Sequence, residues 1–327
     1  MKILVTGGAG YIGSHMVRLL IENGYGVVVF DNLKGGHRES LPKDCHLVIG
    51  DLFDSALLEK TFSEEKIESV MHFAGVISME ESVRDPHKYF RTNVFGAVNL
   101  FEAMVKTGVK KLIFSSTAGV YGNPSRLPIP EDEPCSPTNP YGESKLMVEK
   151  ILKWYDGAYG LKSVALRYFN AAGASLDGST GEDHWPETHL IPLAIKAAQE
   201  GRNFYIFGDD YPTRDGTCVR DYIHVLDLCE SHLLALEILE NGRSDVFNIG
   251  TGEGRTNREV VEAVKKITGI DFKVEIGLRR PGDAIELVAS PEKIKRVLGW
   301  QPKYSDLETI VKTAWQWHRN HPKGFQP

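Results

Sequence analysis

The stretch Ile3-Leu4-Val5-Thr6-Gly7-Gly8-Ala9-Gly10-Tyr11-Ile12-Gly13 places three spaced glycines directly after a short apolar run. The apolar run predicts a buried strand, and the pattern that follows it predicts a helix. Gly7 permits a tight turn with positive φ, Gly10 lets a pyrophosphate approach the backbone, and Gly13 lets the helix pack closely on the strand. Since the unpaired N–H groups of a helix start attract phosphate, the turn predicts a dinucleotide site.

Outward from this turn, the first half of the chain alternates between two patterns. Short apolar, β-rich runs predict strands over residues 2–6, 26–31, 46–50, 69–74, 111–115 and 163–168. Helical patterns lie between them, over residues 14–23, 55–65, 86–107 and 140–159. The alternation predicts an α/β fold with a Rossmann-type doubly wound parallel sheet and helices on both faces.

The pattern changes after Gly173, where residues 173–188 are rich in Gly, Ser, Asp and Glu and predict a loop. Helices are then predicted over residues 191–200, 225–241 and 257–268, and short strands over 204–207 and 246–249. We therefore expect residues 1–172 to form a dinucleotide-binding domain and residues 173–327 to form a smaller mixed α/β substrate lobe. A segment near residues 218–250 is a candidate to return to the first sheet.

The net charge and the apolar pattern of the chain give no support for nucleic acid or a membrane as a partner. A net charge of −6 gives no electrostatic reason to bind nucleic acid or an anionic membrane, so an anionic substrate would need locally placed cations. No apolar run approaches the roughly eighteen residues that span a bilayer, and the N-terminus shows no signal-peptide pattern. The cysteines are scattered and no histidine cluster has ligand spacing, so we expect free thiols in the cytoplasm and no metal site.

Asp31 identifies the dinucleotide. It ends the second predicted strand, about twenty residues after the glycines, where a carboxylate can accept both hydroxyls of an adenosine ribose. The same carboxylate would repel a 2′-phosphate, and neither Asn32 nor Leu33 is an arginine that could bind one. The sequence therefore favours NAD over NADP. Asp51 and Leu52, which follow the third strand, are expected to meet the adenine.

Tyr141 and Lys145 form a candidate catalytic pair. They lie four residues apart in a helix that Asn139 and Pro140 are expected to begin, so both face the same side. A cation beside the phenol would lower the pKa of Tyr141 towards neutrality and make it a general base. About one such Tyr-x-x-x-Lys pair is expected by chance, and an ordinary amphipathic helix is the alternative interpretation.

Two strand ends favour the catalytic interpretation. Ser115-Ser116-Thr117 closes one predicted strand at the carboxyl edge, where sheets of this class bind their ligands. A hydroxyl there can hydrogen-bond both the phenol and a substrate oxygen. Phe73-Ala74-Gly75 ends another strand with small residues that leave room for a flat cofactor.

These motifs together resemble the extended short-chain dehydrogenase/reductase family. The resemblance rests on Thr6-Gly-Gly-Ala-Gly-Tyr-Ile-Gly-Ser-His15, Ser115-Ser-Thr-x-x-Val-Tyr-Gly122, Pro140-Tyr-Gly-x-Ser-Lys145 and Arg167-Tyr-Phe-Asn170. In the second half it rests on residues 207–224 and on Arg279-Arg-Pro-Gly-Asp283, so it covers nearly the whole chain. Within the family, the chain is most similar to the nucleotide-sugar epimerases.

The resemblance implies an isomerase that inverts C4 of UDP-glucose and UDP-galactose through a 4-keto intermediate, with NAD as a resident cofactor. It implies that Tyr141 takes the proton of the 4-hydroxyl, that Lys145 tunes Tyr141 and holds the nicotinamide ribose, and that Thr117 orients the 4-oxygen. It also implies a homodimer, which the helices at residues 86–107 and 140–159 would form by pairing.

Residue correspondence with the family implies two further sets of contacts. NAD is expected to contact Gly7, Gly10, Tyr11, Ile12, Gly13, Asp31, Asn32, Asp51, Leu52, Phe73, Ala74, Gly75, Asn93, Ser115, Tyr141, Lys145 and Phe169. The UDP sugar is expected to contact Thr117, Tyr141, Asn170, His189, Leu190, Tyr205, Ile206, Phe207, Arg220, Arg280, Asp283 and Leu287. Arg220 and Arg280 are expected to bind the diphosphate, because one guanidinium group can donate hydrogen bonds to two phosphate oxygens at once.

Departures from the family pattern leave alternatives open. Ile77 stands where a lysine is usual, and His189 stands where an asparagine is usual, which puts two phosphate contacts in doubt.

Leu287 replaces a bulky tyrosine of some members, so a UDP-GlcNAc/UDP-GalNAc 4-epimerase or a dual-specificity enzyme is the second hypothesis. Ala118-Gly119 lacks the acidic groups of related dehydratases and decarboxylases, which disfavours another oxidoreductase or lyase. Because Tyr141 and Lys145 are both present, a non-catalytic NAD-binding protein is disfavoured too.

Overall fold

The structure is a computed structural model that describes residues 1–280 and 283–325. The chain divides into two compact units. Unit 1 comprises Met1–Gly122, Cys135–Arg167 and Cys229–Phe247. Unit 2 comprises Asn123–Pro134, Tyr168–Leu228 and Asn248–Pro327. Pro281 and Gly282, which belong to the Arg279–Asp283 motif, lie outside the described residues.

The strands, in chain order, are β1 (Lys2–Thr6), β2 (Gly26–Asp31), β3 (His46–Ile49), β4 (Ser69–His72), β5 (Lys111–Thr117), β6 (Lys162–Tyr168), β7 (Asn170–Ala172), β8 (Phe204–Phe207), β9 (Val219–His224), β10 (Asp245–Ile249), β11 (Gly254–Thr256), β12 (Val274–Gly277) and β13 (Glu286–Leu287). Seven of them form one sheet in the order β10-β6-β5-β4-β1-β2-β3. The pairings of β3, β2, β1, β4 and β5 are parallel. The predicted doubly wound Rossmann-type sheet is therefore confirmed.

The helices, in chain order, are α1 (Tyr11–Glu22), α2 (Ser55–Glu65), α3 (Met79–Arg84), α4 (Pro86–Tyr89), α5 (Gly96–Thr107), α6 (Pro140–Tyr159), α7 (Leu190–Glu200), α8 (Val225–Glu240), α9 (Asn257–Thr268), α10 (Glu292–Leu298) and α11 (Leu307–Asn320). A π-helical segment, Phe90–Phe95, joins α4 to α5. None of the described helices combines the length and apolar character that a bilayer crossing requires.

The core of unit 1 explains why the first strand forms where it does. Ile3, Leu4 and Val5 are fully buried, as a continuous apolar run in a central parallel strand should be. Strand β1 pairs with β2 on one side and β4 on the other, so it lies in the interior of the sheet. Leucine and phenylalanine side chains of α2, α5 and α6 pack against this sheet, among them Leu58, Phe62, Leu100, Phe101 and Leu152.

Unit 2 contains two small sheets and a helical core of its own. One sheet has the order β11-β9-β13, with β7 also paired to β9, and the other pairs β12 with β8. The core is built from α7, α9 and α11, through apolar residues such as Ile195, Val261, Val264, Ile310 and Val311. Strand β9 lies at the centre of the first sheet, with partners on both sides.

Several predicted boundaries were wrong, and each error has a local cause. Helix α1 begins at Tyr11 rather than at residue 14, because Gly10 already acts as its N-cap. The helix predicted over residues 86–107 is divided into α4, the π-helical segment and α5. Strand β5 runs on to Thr117, and β4 ends at His72. Strand β9 was missed because its Arg220, Asp221 and His224 interrupt the apolar pattern, although most of the strand is buried.

Candidate active site

The glycine turn has the tight geometry that its sequence predicts. Gly7 has a φ of +70°, and a Cβ atom there would lie 2.5 Å from the backbone nitrogen of Ala74. At Gly13 a Cβ atom would lie only 2.2 Å from the carbonyl oxygen of Gly7. Gly10 differs from both, because its Cβ would meet nothing nearer than the Gly7 oxygen at 3.4 Å. Packing within the protein therefore requires glycine at positions 7 and 13, whereas at position 10 it leaves room for a methyl group.

The start of α1 is suited to a phosphate group. Gly10 is the N-cap, and no side chain accepts hydrogen bonds from the first N–H groups of the helix. These donors and the positive end of the helix dipole favour an anion. The first turn contains no acidic residue that would repel it. The residues present thus fit the pyrophosphate of a dinucleotide.

Asp31 lies at the end of β2, beside the glycine turn. Its Oδ2 accepts a hydrogen bond from the backbone N–H of Ala9 at 2.9 Å, and its Oδ1 accepts one from Leu33 at 2.8 Å. Burial raises the pKa of Asp31, and these backbone donors oppose that effect. The Nδ2 of Asn32 donates to Asp51 at 2.9 Å, so the structure brings these predicted adenosine contacts together. Each carboxylate oxygen of Asp31 keeps a second lone pair for a ribose hydroxyl.

The end of β4 meets the π-helical segment and α6. A Cβ atom on Gly75 would lie 2.9 Å from Asn93 Oδ1 and 3.7 Å from Lys145 Nζ. Asn93 accepts a hydrogen bond from the Val76 N–H at 2.9 Å and donates to Ser144 at 3.0 Å. The Asn93 amide therefore joins the end of β4 to helix α6. Ser144 was missed by the sequence analysis, although it lies inside the Tyr-x-x-x-Lys segment.

Lys145 is buried, and its Nζ donates a hydrogen bond to the carbonyl oxygen of Ser115 at 2.8 Å. The Nζ also lies 5.1 Å from the centre of the Phe114 ring. Burial lowers the pKa of Lys145 to about 8. The predicted cation is thus held at the carboxyl edge of the sheet, directly against the end of β5.

Tyr141 lies in the first turn of α6 and is hydrogen-bonded to Thr117. Asn139 caps the helix by accepting the Gly142 N–H at 2.9 Å, and Pro140 is its first residue, as predicted. Burial raises the pKa of Tyr141, whereas the hydrogen bond with Thr117 lowers it. Burial has the larger of these two effects, so the lowering of the Tyr141 pKa by a neighbouring cation stays a prediction.

A buried network that the sequence analysis missed supports these groups. Arg167 donates to both carboxylate oxygens of Glu149, at 3.0 Å from Nε and 2.6 Å from Nη2. The Ser116 hydroxyl donates to Glu149 at 2.5 Å, and Arg167 Nη1 donates to the Tyr121 hydroxyl at 2.9 Å. Burial lowers the pKa of Arg167, but its hydrogen bonds with Glu149 outweigh this effect and raise it. Helix α6 is thereby joined to β5 and β6 through charged groups.

Unit 2 brings together three predicted substrate contacts on one sheet. Arg220 of β9 is in register with Leu287 of β13, and Asn170 of β7 donates a hydrogen bond to the Asp221 carbonyl oxygen at 2.9 Å. The Asp221 carboxylate is buried and accepts backbone N–H bonds from Thr251, Gly252 and Ala289. Phe169, predicted as a cofactor contact, donates its N–H to Ile249.

A second group of predicted substrate contacts forms around β8. Tyr205 and Phe207 are exposed, whereas Ile206 between them is buried, so the strand exposes its two aromatic side chains on one face. The guanidinium of Arg280 lies 5.0 Å from the centre of the Phe207 ring. It also donates to Asp283, at 2.9 Å from Nε. An anionic ligand that binds the Arg280 guanidinium would therefore share it with the Asp283 carboxylate.

His189, an expected substrate contact, lies beside two carboxylates. It is the N-cap of α7, directly before Leu190, and its Nδ1 lies 2.6 Å from Glu182 Oε1. Burial lowers the pKa of His189, but the carboxylates of Glu182 and Glu187 outweigh burial and raise it well above its usual value. The sequence analysis predicted no histidine cluster and no metal site. It missed this group because it did not combine carboxylates with histidines across the loop.

Comparison with known proteins gives a consistent result. Residues 3–250 match the model of the NAD dependent epimerase/dehydratase family. The chain is 52% identical to the UDP-glucose 4-epimerase of Lacticaseibacillus casei, over 99% of this chain and 99% of that protein.

Solved structures show the same likeness. A crystal structure of a UDP-glucose 4-epimerase is 47% identical, covers 100% of both chains and has a TM-score of 0.97. The Brucella ovis UDP-glucose 4-epimerase in complex with NAD is 47% identical over 96% of this chain and 97% of that one, with a TM-score of 0.93. The UDP-Glc/GlcNAc 4-epimerase of Campylobacter jejuni is 43% identical over 98% of this chain and 99% of that one, with a TM-score of 0.85.

Gly10 permits a test that separates ligand binding from folding. Its φ is −80°, and the nearest atom to an added Cβ is 3.4 Å away, so Gly10→Ala should leave the free energy of unfolding within about 1 kcal/mol of the wild type. If a pyrophosphate approaches this backbone, the same methyl group should weaken NAD binding by at least ~10-fold. Isothermal titration of the NAD-free protein measures the affinity.

The matched control is Gly157→Ala in helix α6, where an added Cβ would meet nothing within 4 Å. It should bind NAD with the wild-type affinity. A Gly10→Ala variant that also binds NAD with the wild-type affinity would show that the cofactor does not approach this turn.

Proposed function

The chain belongs to the NAD dependent epimerase/dehydratase family, and we propose that it is a UDP-glucose 4-epimerase that interconverts UDP-glucose and UDP-galactose by inverting C4. The observation that carries the proposal is the contact between Thr117 and Tyr141 at the edge where Lys145 is buried. It places a phenol, a hydroxyl and an amine at the carboxyl edge of a sheet whose first turn fits a dinucleotide.

The chain's own residues supply proton transfer and orientation. Tyr141 takes the proton of the sugar 4-hydroxyl and later returns it to the 4-oxygen, after the 4-keto sugar has presented its opposite face. Thr117 holds the 4-oxygen within reach of the phenol, because its hydroxyl can bond both. When bound, NAD supplies the oxidation and reduction at C4, by accepting hydrogen as hydride and giving it back. Since the cofactor is regenerated in each cycle, no NAD needs to be added.

Lys145 has two tasks in this proposal. Because its pKa is lowered only to about 8, the amine remains mostly protonated at neutral pH and supplies positive charge next to the reacting groups. Ser115 accepts one of its hydrogen bonds, which leaves its other N–H donors for the nicotinamide ribose. Burial raises the pKa of Tyr141, and we propose that the positive charge of Lys145, four residues on in α6, opposes this effect and favours the phenolate during the reaction.

We also propose that the two units bind different ligands. Unit 1 would bind NAD through the glycine turn, Asp31 and the edge at Gly75. Unit 2 would bind the UDP sugar, with Arg220 and Arg280 facing its diphosphate. A net charge of −6 makes such local cations necessary for an anionic substrate. The mutual contacts of Arg280, Phe207 and Asp283 support this role, because they place a cation, an aromatic face and a carboxylate side by side.

A second candidate function is epimerisation of N-acetylated UDP-hexoses. Leu287 lies on β13, in register with Arg220, and is smaller than the tyrosine of some relatives. The likeness to the UDP-Glc/GlcNAc 4-epimerase of Campylobacter jejuni favours the same dual specificity. Dehydration is disfavoured, because Ala118 and Gly119 follow Thr117 and neither carries an acidic group.

We further propose a homodimer in the cytoplasm. Tyr155 of α6 is hydrogen-bonded to Glu102 of α5, so these helices lie side by side. Phe95, just before α5, and Trp154 of α6 are 62% and 80% exposed, which is unusual for such large apolar side chains. The free cysteines of the chain support a reducing compartment, and a disulfide in the protein isolated from cells would argue against it.

The proposed reaction requires Tyr141 and no added NAD. Purified protein should convert UDP-galactose to UDP-glucose on its own, and Tyr141→Phe should lower kcat by about 10²-fold or more while NAD stays bound. Tyr25→Phe, a tyrosine of unit 1 outside the site, is the matched control and should keep full turnover. Full activity of Tyr141→Phe would refute the mechanism, and release of free NADH or a stable keto sugar would indicate an oxidoreductase or lyase.

Leu287 should set the acceptance of an N-acetyl group. The wild type should epimerise UDP-GalNAc. Leu287→Tyr should lower kcat/KM for UDP-GalNAc by at least ~10-fold, with a smaller change for UDP-galactose, because the tyrosine ring would take the space of the N-acetyl group. UDP-GalNAc that stays unconverted at millimolar concentration would exclude this second function.

The dimer should depend on the exposed aromatic residues of the helix pair. The wild type should have twice the mass of one chain by light scattering, and Phe95→Glu combined with Trp154→Glu should have the monomer mass, because charges cannot be buried there without a partner. Leu176→Glu, which changes an exposed leucine of unit 2, should remain dimeric. A monomeric wild type would overturn the proposal.

A further inference from the structure

Four side chains from a single loop of unit 2 converge ahead of helix α7. They are Glu182, His184, Glu187 and His189, and one potential ligand atom from each lies within 4.8 Å of the other three. The Nδ1 atoms of His189 and His184 lie 2.6 Å and 3.1 Å from Glu182 Oε1. They lie 3.3 Å and 3.9 Å from the two oxygens of Glu187. The group therefore has two nitrogen and two oxygen atoms around one point.

Burial makes this group unusual for surface charges. The side chains of Glu182 and Glu187 are only 5% and 3% exposed. Glu182 Oε1, Glu187 Oε2 and His189 Nδ1 are buried and make no hydrogen bond with any described residue. His189 Nδ1 and Glu182 Oε1 approach each other closely, but without the angles that a hydrogen bond needs. Three buried polar atoms of the group thus lack a hydrogen-bond partner among the described residues although they lie close together.

The two carboxylates of the group call for positive charge. A protonated His189 supplies it in part without an ion, and a metal ion could supply it instead. Two buried carboxylates are costly unless cations neutralise them. With both imidazoles neutral, Glu182 and Glu187 leave two negative charges, and one divalent cation would balance both. Neutral imidazole nitrogen and carboxylate oxygen are also the ligand types that Zn²⁺ binds in proteins.

We propose that Glu182, His184, Glu187 and His189 bind one divalent transition metal ion, Zn²⁺ in the first instance. Zn²⁺ holds its ligands at about 2.0–2.2 Å in a tetrahedron, which places them about 3.3–3.6 Å apart. The nitrogen–oxygen distances of the loop lie around this range. Mg²⁺ and Ca²⁺ are disfavoured, since they take six or more oxygen ligands.

The site would have a structural role. All four positions of a tetrahedral ion would be filled by protein ligands, which leaves no open position for a substrate or water. The loop is already attached to the C-terminal part of unit 2, because Trp317 donates to the Glu182 carbonyl oxygen at 3.3 Å. At its other end, Glu187 Oε1 accepts the N–H groups of Thr188 and His189 at the start of α7. An ion would therefore fix the loop to Thr188 and His189, the two residues that precede α7. This inference does not depend on the proposed epimerase activity.

The first test uses the full wild-type chain and Zn²⁺ alone. Protein stripped with a chelator should take up one equivalent of Zn²⁺ in a calorimetric titration, and its Tm should rise by roughly 5 °C or more. X-ray absorption at the zinc edge should show nitrogen and oxygen ligands without sulfur. A stripped wild type that takes up no Zn²⁺ at tens of micromolar, or an absorption spectrum with sulfur ligands, would overturn the proposal.

The second test uses variants in the loop. Glu182→Gln and His184→Gln should bind Zn²⁺ at least ~100-fold more weakly and should lose the metal-dependent rise in Tm. His87→Gln, which changes an exposed histidine of unit 1, is the matched control and should bind as the wild type does. If a variant fails to fold, the wild-type titration still decides the question. Variants that bind Zn²⁺ with wild-type affinity would show that the ion binds elsewhere.

Discussion

The structure of unit 1 depends on one buried ion pair, between Glu149 of α6 and Arg167 of β6. Breaking a buried pair of this kind typically costs about 3–5 kcal/mol, because the remaining charge has no partner. The Ser116 hydroxyl also donates a hydrogen bond to Glu149, and Ser116 lies between Ser115 and Thr117 at the end of β5. The pair therefore sets where the helix that carries Tyr141 and Lys145 meets the strand that carries Thr117.

The same physical principle operates in unit 2. Asp221 is a fully buried carboxylate, and donors from Thr251, Gly252 and Ala289 satisfy it. It follows Arg220 on β9, so the strand that holds a proposed phosphate contact is anchored through its next residue. In each unit a buried polar network holds a strand or helix that carries a proposed binding or catalytic residue. Such networks are stable only when every buried polar member is paired.

Much of the fold could be predicted from the sequence, because continuous apolar runs and a glycine turn leave few alternatives. Strand β1, strand β2 and helices α2 and α6 were predicted with the bounds that the structure shows. The π-helical segment at Phe90–Phe95 could not be predicted, because it follows from the bonds of Asn93 with Val76 and Ser144, which are distant in sequence. Glu149 and the Glu182–His189 loop were missed for the same reason, since only the folded chain shows which charges are buried together.

The most direct test of this account is the turnover of Glu149→Gln, measured at a temperature where circular dichroism shows the variant to be folded and NAD is still bound. If the ion pair positions the helix of Tyr141 and Lys145, kcat should fall by at least ~10-fold, which corresponds to about 1.4 kcal/mol of lost transition-state stabilisation, although Glu149 is not one of the proposed ligand contacts. A variant that loses stability but keeps the wild-type kcat would contradict the account, because the pair would then hold the fold without positioning the site.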